Sequence, residues 1–258
     1  MYLEKLKLDK RIAVVTGAGQ GIGAAIAQAL GEAGATVIVT DMMADRVAES
    51  LANLKKLNIN ALGMTLDVTK SADVDRVAAQ VVKDHGRVDI LVNNAGVAKS
   101  NVKAEDTSDD HWRFHMNVNV DGVFWCCRAF GKQMLKQGKG SIVNIGSMSG
   151  FIVNKPQEQS FYNASKAAVH HMTRSLAAEW ASRGVRVNAV APTYIETPLT
   201  KFGMTEDPQM YQTWLDMTPM GRVGQPDEIA SVVHFLASDA ASLMTGSIVL
   251  ADGGYVCW

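Results

Sequence analysis

The sequence RIAVVTGAGQGIGAAIAQAL at residues 11–30 decides the fold. Its first six residues form a short apolar run rich in β-branched side chains, which predicts a buried strand. Glycines then follow in the spacing Gly-x-x-x-Gly-x-Gly at Gly17, Gly21 and Gly23, and a run of strong helix formers closes at Gly34. Strand, glycine turn and helix in this order predict a dinucleotide-binding unit, in which glycines let the backbone approach a pyrophosphate at the helix N-terminus. Because this spacing differs from the common Gly-x-Gly-x-x-Gly, a plain glycine turn stays an open alternative.

The next apolar run, residues 35–40, predicts a second buried strand that ends on Asp41. An acidic residue about 20 positions beyond the glycines is placed to accept hydrogen bonds from the ribose hydroxyls of a dinucleotide, and it would repel a 2′-phosphate. Met42 and Met43 offer no cation for such a phosphate, and Arg46 is expected to point to solvent. The sequence therefore predicts NAD rather than NADP as the cofactor.

Tyr162 and Lys166 stand four residues apart, with Ser147 fifteen residues upstream of the tyrosine. Residues at i and i+4 share a face of a helix, so the phenol and the ammonium are predicted to lie together. A nearby cation favours the phenolate and would lower the pKa of Tyr162 towards the operating pH of a general base. Taken alone, the spacing is a weak signal, because a helix with one buried tyrosine and one solvated lysine is common.

Alternating strands and helices along the whole chain predict an α/β fold, a single Rossmann-type doubly wound domain over residues 1–258. Further strands are expected at residues 61–68, 88–92, 141–145, 185–190 and 247–251, which makes a seven-stranded parallel sheet with helices on both faces. Long helices are expected at about 110–136 and 159–183. The less regular segment 193–225 holds Met204, Met210 and Trp214 and is predicted to be a substrate lid; core packing of these side chains is the alternative.

Composition narrows the class of protein. The 258 residues carry a net charge of −1 with both signs spread along the chain, so neither a nucleic-acid nor a membrane surface is expected. No signal-peptide pattern and no apolar run of membrane length is seen. Three cysteines without metal-ligand spacing predict reduced thiols in a cytoplasmic protein and no metal site.

Together these motifs resemble the short-chain dehydrogenase/reductase family over residues 16–254. TGAGQGIG at 16–23 resembles the family's cofactor loop, and NNAG at 93–96 resembles its segment after the fourth strand. NVDG at 119–122 and GSIVNIGS at 140–147 resemble the motifs that carry its catalytic asparagine and serine. The chain departs from the family at Pro192-Thr193, where Pro-Gly is usual, so the contact with the nicotinamide end is expected to differ in detail.

This resemblance implies hydride transfer between a nicotinamide cofactor and an alcohol or ketone. The implied catalytic residues are Asn119, Ser147, Tyr162 and Lys166: Tyr162 exchanges the proton, Lys166 stabilises its phenolate, Ser147 holds the substrate oxygen, and Asn119 holds a water linked to Lys166. The expected cofactor-binding residues are Gly17, Gln20, Gly21, Ile22, Gly23, Asp41, Asp67, Val68, Asn94, Ala95, Gly96, Tyr162, Lys166, Pro192, Ile195 and Thr197. Members of the family are commonly tetramers, so a homotetramer is expected.

The segments 147–157, 214–222 and 252–258 are similar to those of bacterial NAD-dependent polyol dehydrogenases that act on galactitol and related sugar alcohols. The expected substrate-binding residues are Ser147, Ser149, Asn154 and Tyr162, with Gln159 as a further candidate. Polar side chains of this kind suit a chain of hydroxyls, although they would also line a solvated loop. A reductase of 3-oxoacyl groups or other bulky ketones, and a catalytically silent NAD-binding regulatory protein, remain alternatives. His170 and His171 are expected to be packing or surface residues.

Overall fold

The computed structural model describes residues 1–258, apart from the side chains of residues 201 and 202. The strands are β1 Ile12–Thr16, β2 Thr36–Asp41, β3 Ala61–Thr65, β4 Ile90–Asn93, β5 Gly140–Ile145, β6 Val185–Pro192 and β7 Ile248–Ala251. The α-helices are α1 Gly21–Glu32, α2 Ala44–Lys56, α3 Ser71–His85, α4 Asp109–Met116, α5 Gly122–Gln137, α6 Ser160–Trp180, α7 Lys201–Thr205, α8 Pro208–Met217 and α9 Pro226–Ala237.

All seven strands form one parallel sheet, as predicted, and their order in the sheet is β3-β2-β1-β4-β5-β6-β7. In the middle of the sheet, Val14 of β1 lies opposite Ile38 of β2 on one side and Leu91 of β4 on the other. The chain first builds outwards from β1 to β3 and then crosses back to β4. This reversal opens a crevice at the carboxyl ends of β1 and β4, the place where ligands bind in open α/β sheets.

Apolar side chains bury both faces of the sheet, which is why its strands read as nearly continuous hydrophobic runs. On one face, α1 and α9 pack together through residues such as Ile26 and Val233, and α2 joins them. On the other face, α3, α5 and α6 pack through residues such as Val77, Phe130 and Val169. Because helices cover both faces of the sheet, a site is expected at its carboxyl edge, which they leave open.

The largest difference from the predicted strands is at the end of β3. β3 ends at Thr65 rather than at Val68, and its last hydrogen bond with β2 is donated by the N–H of Leu66 to the carbonyl of Asp41 at 2.9 Å. Asp67 and Val68 therefore lie beyond the strand. The predicted end of α1 is confirmed: the helix finishes at Glu32, and Gly34 follows with φ +102°, a conformation that favours glycine.

The long helix expected at 110–136 is present but changes its winding in the middle. Between α4 and α5, residues Asn117–Asp121 form a π-helical turn that contains the buried Asn119. Turns of this kind are rare and frequently occur at functional sites. The sequence pattern alone does not predict the turn, because the partners that the two halves of the helix face are set by contacts with distant segments.

The segment 193–225 is more regular than predicted, since it contains α7 and α8. Helix α8 begins at Pro208, and the Asp207 side chain caps it by accepting the N–H of Met210 at 2.9 Å. Met210 and Trp214 are buried in a small apolar cluster above the carboxyl edge, beside Tyr194. Both residues also line the cavity described below, so packing and cavity lining are combined in the same side chains.

Candidate active site

A cavity of about 890 Å³ lies along the carboxyl edge of the sheet. It runs from Asp41 past the glycine loop to Tyr162 and Trp214. The predicted site residues that line it are Gly17, Gln20, Gly21, Ile22, Asp41, Asp67, Val68, Asn94, Ala95, Gly96, Ser147, Ser149, Asn154, Tyr162, Lys166, Pro192, Ile195 and Thr197. Gly23 and Asn119 stand behind this wall, where they pack against the residues that form it.

The glycine loop is shaped by close backbone approach. Gly17 and Gly21 adopt positive φ angles of +62° and +57°, which side chains other than glycine rarely tolerate. A Cβ on Gly23 would lie 2.3 Å from the carbonyl oxygen of Gly17, so this position also needs glycine. Helix α1 begins at Gly21, and Gln20 makes no side-chain capping bond there among the described residues. The N–H groups of the first turn therefore face the cavity and suit an anion.

The segment after β4 is fixed against the glycine loop by a hydroxyl and an amide. The Thr16 hydroxyl accepts the N–H groups of Asn94 and Ala95, each at 3.0 Å. In return, the Asn94 amide donates to the carbonyls of Thr16 at 2.9 Å and Gly17 at 3.0 Å. These four bonds join the carboxyl ends of β1 and β4 into one wall of the cavity.

Asp41 closes the far end of the cavity. Its carboxylate accepts the N–H of Gly19 at 3.3 Å and that of Met43 at 3.1 Å, and the residue is only 7 % exposed. Arg46 differs from the expectation in one respect: it is exposed, as predicted, yet it also lines the cavity. A Cβ on Gly19 would lie 2.6 Å from Arg46 Cβ and 2.8 Å from Asp41 Oδ2. The base of the Arg46 side chain thus lies near the Asp41 carboxylate at this end.

Asp67 lies in the turn after β3, where it binds neighbouring residues. Burial alone would raise its pKa, but hydrogen bonds from Thr69 and Lys70 outweigh burial and lower the pKa. The carboxylate accepts the Thr69 hydroxyl at 2.6 Å, and the Asp67 N–H donates to Asp73 at 2.9 Å. Hydrogen bonds within the turn therefore hold Asp67 where the turn reaches the cavity.

These features fit a dinucleotide. The glycine loop leaves room that a Cβ would fill, the N-terminus of α1 is open to a pyrophosphate, and a carboxylate stands beyond it where a ribose would lie. Thr197 faces the same loop from the opposite wall, since a Cβ on Gly21 would lie 3.5 Å from its Cγ2. Thr193, at the departure from the family pattern, has a buried hydroxyl without a hydrogen-bond partner among the described residues.

Tyr162 and Lys166 lie on the first turns of α6, as their spacing predicted. Lys166 Nζ is 5.7 Å from the centroid of the Tyr162 ring and donates to the carbonyl of Ile145 at 2.9 Å. Burial lowers the pKa of Lys166 to about 8. The expected lowering of the Tyr162 pKa is wrong for the chain without ligands: burial raises this pKa, and the hydrogen bond with Ser147 acts against burial without outweighing it.

Ser147 stands two residues after the end of β5, and it is buried. Its hydroxyl accepts the N–H of Ser149 at 3.1 Å and donates to the Ser149 hydroxyl at 3.0 Å. The two serines therefore form a pair of hydroxyls beside Tyr162. This pair is the polar centre of the cavity.

Asn119 is placed by the π-helical turn. Its amide binds the backbone of Val97 in both directions, accepting the N–H at 2.9 Å and donating to the carbonyl at 3.0 Å. It also donates to the Ser165 hydroxyl at 3.1 Å. A Cβ on Gly96 would be 3.4 Å from Asn119 Oδ1 and 3.8 Å from Lys166 Nζ, so both groups lie close to this glycine.

A network of buried polar side chains forms the wall beyond Ser149. The Tyr194 hydroxyl accepts from the Gln157 amide at 2.8 Å and from the Asn154 amide at 3.2 Å. Gln157 in turn accepts the indole N–H of Trp214 at 3.2 Å, and the Asn154 oxygen accepts from Gln159 at 3.0 Å. The ring of Tyr194 stacks on that of Trp214 with centroids 4.0 Å apart.

Sequence reasoning identified Asn154 and Gln159 in this wall but missed Gln157, Tyr194 and Trp214 as its polar partners. The three come from separate parts of the chain, and no motif links them. The sequence nevertheless contained a signal for them: Gln157 lies in the segment that follows Ser147, and Tyr194 and Trp214 lie in the predicted lid.

Neither a cluster of metal ligands nor a membrane-spanning helix is present within the described residues. No group of three or more histidine, cysteine, aspartate or glutamate side chains is arranged to hold a metal ion. No helix there combines the length and the apolar character that crossing a membrane requires.

The fold and the site define a Rossmann-type oxidoreductase that uses a nicotinamide cofactor. A family model described as enoyl-(acyl carrier protein) reductase matches residues 17–256. Galactitol 2-dehydrogenase of Rhizobium johnstonii is 50% identical over 257 residues, covering 100% of this chain and 99% of its own. The chain belongs to the short-chain dehydrogenase/reductase family.

Solved structures agree with this placement. The crystal structure of gox2181 matches with a TM-score of 0.99 and 54% identity, covering 100% of both chains. The crystal structure of a gluconate 5-dehydrogenase from Burkholderia cenocepacia in complex with NADP and tartrate matches with a TM-score of 0.95 and 33% identity, again over 100% of both chains. The fold is therefore shared along the entire chain.

Proposed function

We propose that this chain is an NAD-dependent dehydrogenase that interconverts a secondary hydroxyl of a polyol or sugar alcohol and the corresponding ketose. The observation that carries the proposal is the meeting of Ser147, Tyr162 and Lys166 beside a buried wall of polar side chains. Similarity over the full length to a galactitol 2-dehydrogenase supports the same substrate class.

In the proposed mechanism, Tyr162 is the general acid and base. It takes the proton from the substrate hydroxyl during oxidation and returns it to the carbonyl oxygen during reduction. Ser147 hydrogen-bonds the same oxygen, and Lys166 places a positive charge beside the developing phenolate. Asn119 holds a water that connects Lys166 to solvent.

The residues proposed to hold NAD follow the length of the cavity. Gly17 and the N–H groups at the start of α1 receive the pyrophosphate, and Asp41 accepts hydrogen bonds from the ribose hydroxyls. Thr197 and Lys166 receive the nicotinamide end. The bound nicotinamide supplies hydride exchange with the substrate carbon.

The pH dependence of the reaction follows from Tyr162. Because burial raises its pKa, the phenol is neutral at neutral pH and is ready to protonate a carbonyl oxygen. Alcohol oxidation needs the phenolate, so its kcat should rise with pH, whereas ketone reduction should not. The same measurement on Tyr162→Phe should show almost no turnover in either direction.

The polar wall suits a chain of hydroxyls. An amide offers two N–H groups and two lone pairs. Asn154 uses one N–H on Tyr194 and one lone pair on Gln159, so the others are available to a substrate. Ser149 offers a further hydroxyl. A site built in this way rejects analogues without hydroxyls, because its own polar groups would be left unpaired.

The test is a set of initial rates of NAD and NADP reduction on sugar alcohols, 1,2-diols and simple secondary alcohols. NAD-dependent turnover that favours polyols supports the proposal. Activity confined to the reduction of bulky ketones or acyl substrates would favour the reductase. The cavity has an apolar side, formed by Met210 and Trp214, that could hold such a substrate. Tight NADH binding without turnover on any substrate would favour the silent regulatory protein.

Three further features belong to the proposal. The segment 193–225 is a substrate lid, because its α8 helix covers the cavity and is joined to the polar wall through Trp214. The chain forms a homotetramer, a state supported by exposed Trp112, Phe124 and Leu250 and tested by light scattering of the purified protein. It works in the cytoplasm, where its three free cysteines would stay reduced.

A further inference from the structure

His170 lies behind the loop that carries Ser147, and the proposed mechanism gives it no role. It stands on α6, one helical turn after Lys166, and is 3 % exposed. Its neighbour on the same helix, His171, is exposed to solvent. Burial of a histidine directly behind the proposed catalytic serine therefore needs an explanation of its own.

The imidazole of His170 fills a space that two glycines leave open. A Cβ on Gly146, just before Ser147, would lie 2.4 Å from His170 Nε2. A Cβ on Gly150, three residues after the serine, would lie 2.5 Å from His170 Cε1. The ring of Phe151 packs on the imidazole with centroids 4.6 Å apart. Residues 146–151 thus pack closely around the imidazole ring of His170.

The ring also has a polar contact with the serine itself. The backbone N–H of Ser147 points at His170 Nε2 with a long N···N distance of 3.5 Å. For Nε2 to accept this N–H, the ring proton must be on Nδ1. Nδ1 is buried and has no hydrogen-bond partner among the described residues.

An unpaired buried N–H disfavours folding. A hydrocarbon side chain of similar size would fill the same space without that disadvantage. Packing alone therefore does not account for histidine at this position, whereas an acceptor for the Ser147 N–H does.

The surroundings keep His170 in its neutral form. Burial lowers its pKa most, and the positive charges of Lys166 and Arg174 lower it further, to about 4. Nε2 consequently keeps its lone pair at any pH used to assay a dehydrogenase.

We infer that His170 is a positioning residue for Ser147: it fixes the backbone at the serine by filling the space between Gly146 and Gly150 and by accepting the serine N–H. The inference rests on the proposed role of Ser147, whose hydroxyl must point at the substrate oxygen. Small displacements of such a group reduce turnover strongly even when binding is preserved.

The test compares His170→Leu with His170→Gln, and uses His171→Leu as the matched control. Leucine keeps most of the volume but has no acceptor, whereas the glutamine amide oxygen reaches about as far as Nε2. His170→Leu should lower kcat for polyol oxidation about 10- to 100-fold, with NADH affinity within about twofold of the parent protein. His170→Gln should stay within about fivefold, and His171→Leu should be unchanged.

A double-mutant cycle separates positioning from general damage. If His170 acts through Ser147, His170→Leu should cost less than about twofold in a Ser147→Ala background. Three outcomes would each overturn the inference. The losses in kcat of the two single variants could multiply in the double variant, NADH affinity could fall in parallel with kcat, or His170→Leu could keep full activity. If His170→Leu does not fold, His170→Asn replaces it, because its amide is too short to reach; equal activities of Asn and Gln would then overturn the inference.

The cycle also distinguishes the inference from the proposed function. Full turnover of Ser147→Ala would refute the role of Ser147 itself, whatever His170 does. An inactive Ser147→Ala together with a fully active His170→Leu would refute only the positioning role.

Discussion

Replacing Asp41 by alanine should shift the cofactor preference from NAD towards NADP. The Asp41 carboxylate closes the cavity at the end of β2, where it is almost fully buried and already accepts the N–H groups of Gly19 and Met43. Its negative charge would repel a 2′-phosphate. Arg46 stands beside it at the same end and supplies the cation that such a phosphate needs.

The magnitude follows from two effects. A hydrogen bond to a charged group contributes about 1.5–3 kcal/mol, and about 1.4 kcal/mol corresponds to tenfold, so losing the bond to a ribose hydroxyl should weaken NAD about 10- to 150-fold. Two like charges 4 Å apart repel by about 4 kcal/mol at an effective dielectric constant of 20, and salt reduces this value. The ratio of kcat/KM for NAD over NADP should therefore fall by at least about 100-fold.

The assay measures kcat/KM for NAD and for NADP on one polyol. The proteins are the parent chain, Asp41→Ala and Asp41→Ala/Arg46→Ala. The matched control is Asp45→Ala, whose exposed carboxylate accepts the backbone N–H of Arg46 at 2.9 Å. The double variant should lose NADP activity relative to the single one. An unchanged ratio in Asp41→Ala would refute the reasoning about the carboxylate, and an unchanged NADP activity in the double variant would refute the role of Arg46.

Three other predictions concern stability and the cofactor loop. Gln157→Leu leaves the buried indole N–H of Trp214 unpaired, so urea unfolding should show a loss of about 1–3 kcal/mol; an unchanged midpoint would contradict it. The pKa of Lys166 is lowered from 10.5 to about 8, so folding disfavours its charge and the free energy of unfolding should rise between these pH values. Lys166→Met should lack that rise, which is on the order of 3 kcal/mol, and parallel pH profiles would refute it. Gly23→Ala pushes a methyl group against the Gly17 carbonyl and should reduce kcat/KM for NAD about 100-fold, measured beside a thermal melt that shows whether the fold survives.

The fold could be predicted because its signals are local. Each buried strand is a short apolar run followed by turn residues, and parallel strands bring their carboxyl ends to one edge. Tyr162 and Lys166 could be paired for the same reason, since four residues on one helix fix their relation. Ser147, Tyr162, Lys166, the glycine loop and Asp41 all lie at or just beyond strand ends or on the first turns of a helix, where the position in the chain determines the position in space.

The remaining features depend on contacts between distant segments. Gln157 meets Trp214 across 57 residues of chain, and nothing in either segment encodes the other. The pKa of Tyr162 was predicted wrongly because the spacing brings Lys166 near the ring but does not say where its ammonium points. That ammonium binds the carbonyl of Ile145, so burial decides the direction in which the pKa of Tyr162 moves.

The π-helical turn at Asn117–Asp121 also sets the phase of the helix that contains it. Each residue of an α-helix advances by about 100° around the axis, so one additional residue in a turn rotates everything beyond it by about that angle. Helix α4 can thereby direct His115 at the backbone of Lys99 near the cavity, while α5 directs Phe130 into the core under the sheet. Deleting one residue from this turn would restore the regular winding, and the two halves could no longer both face their partners. By rotating α5 relative to α4, the turn allows one long helix to face the site at its start and the core at its end.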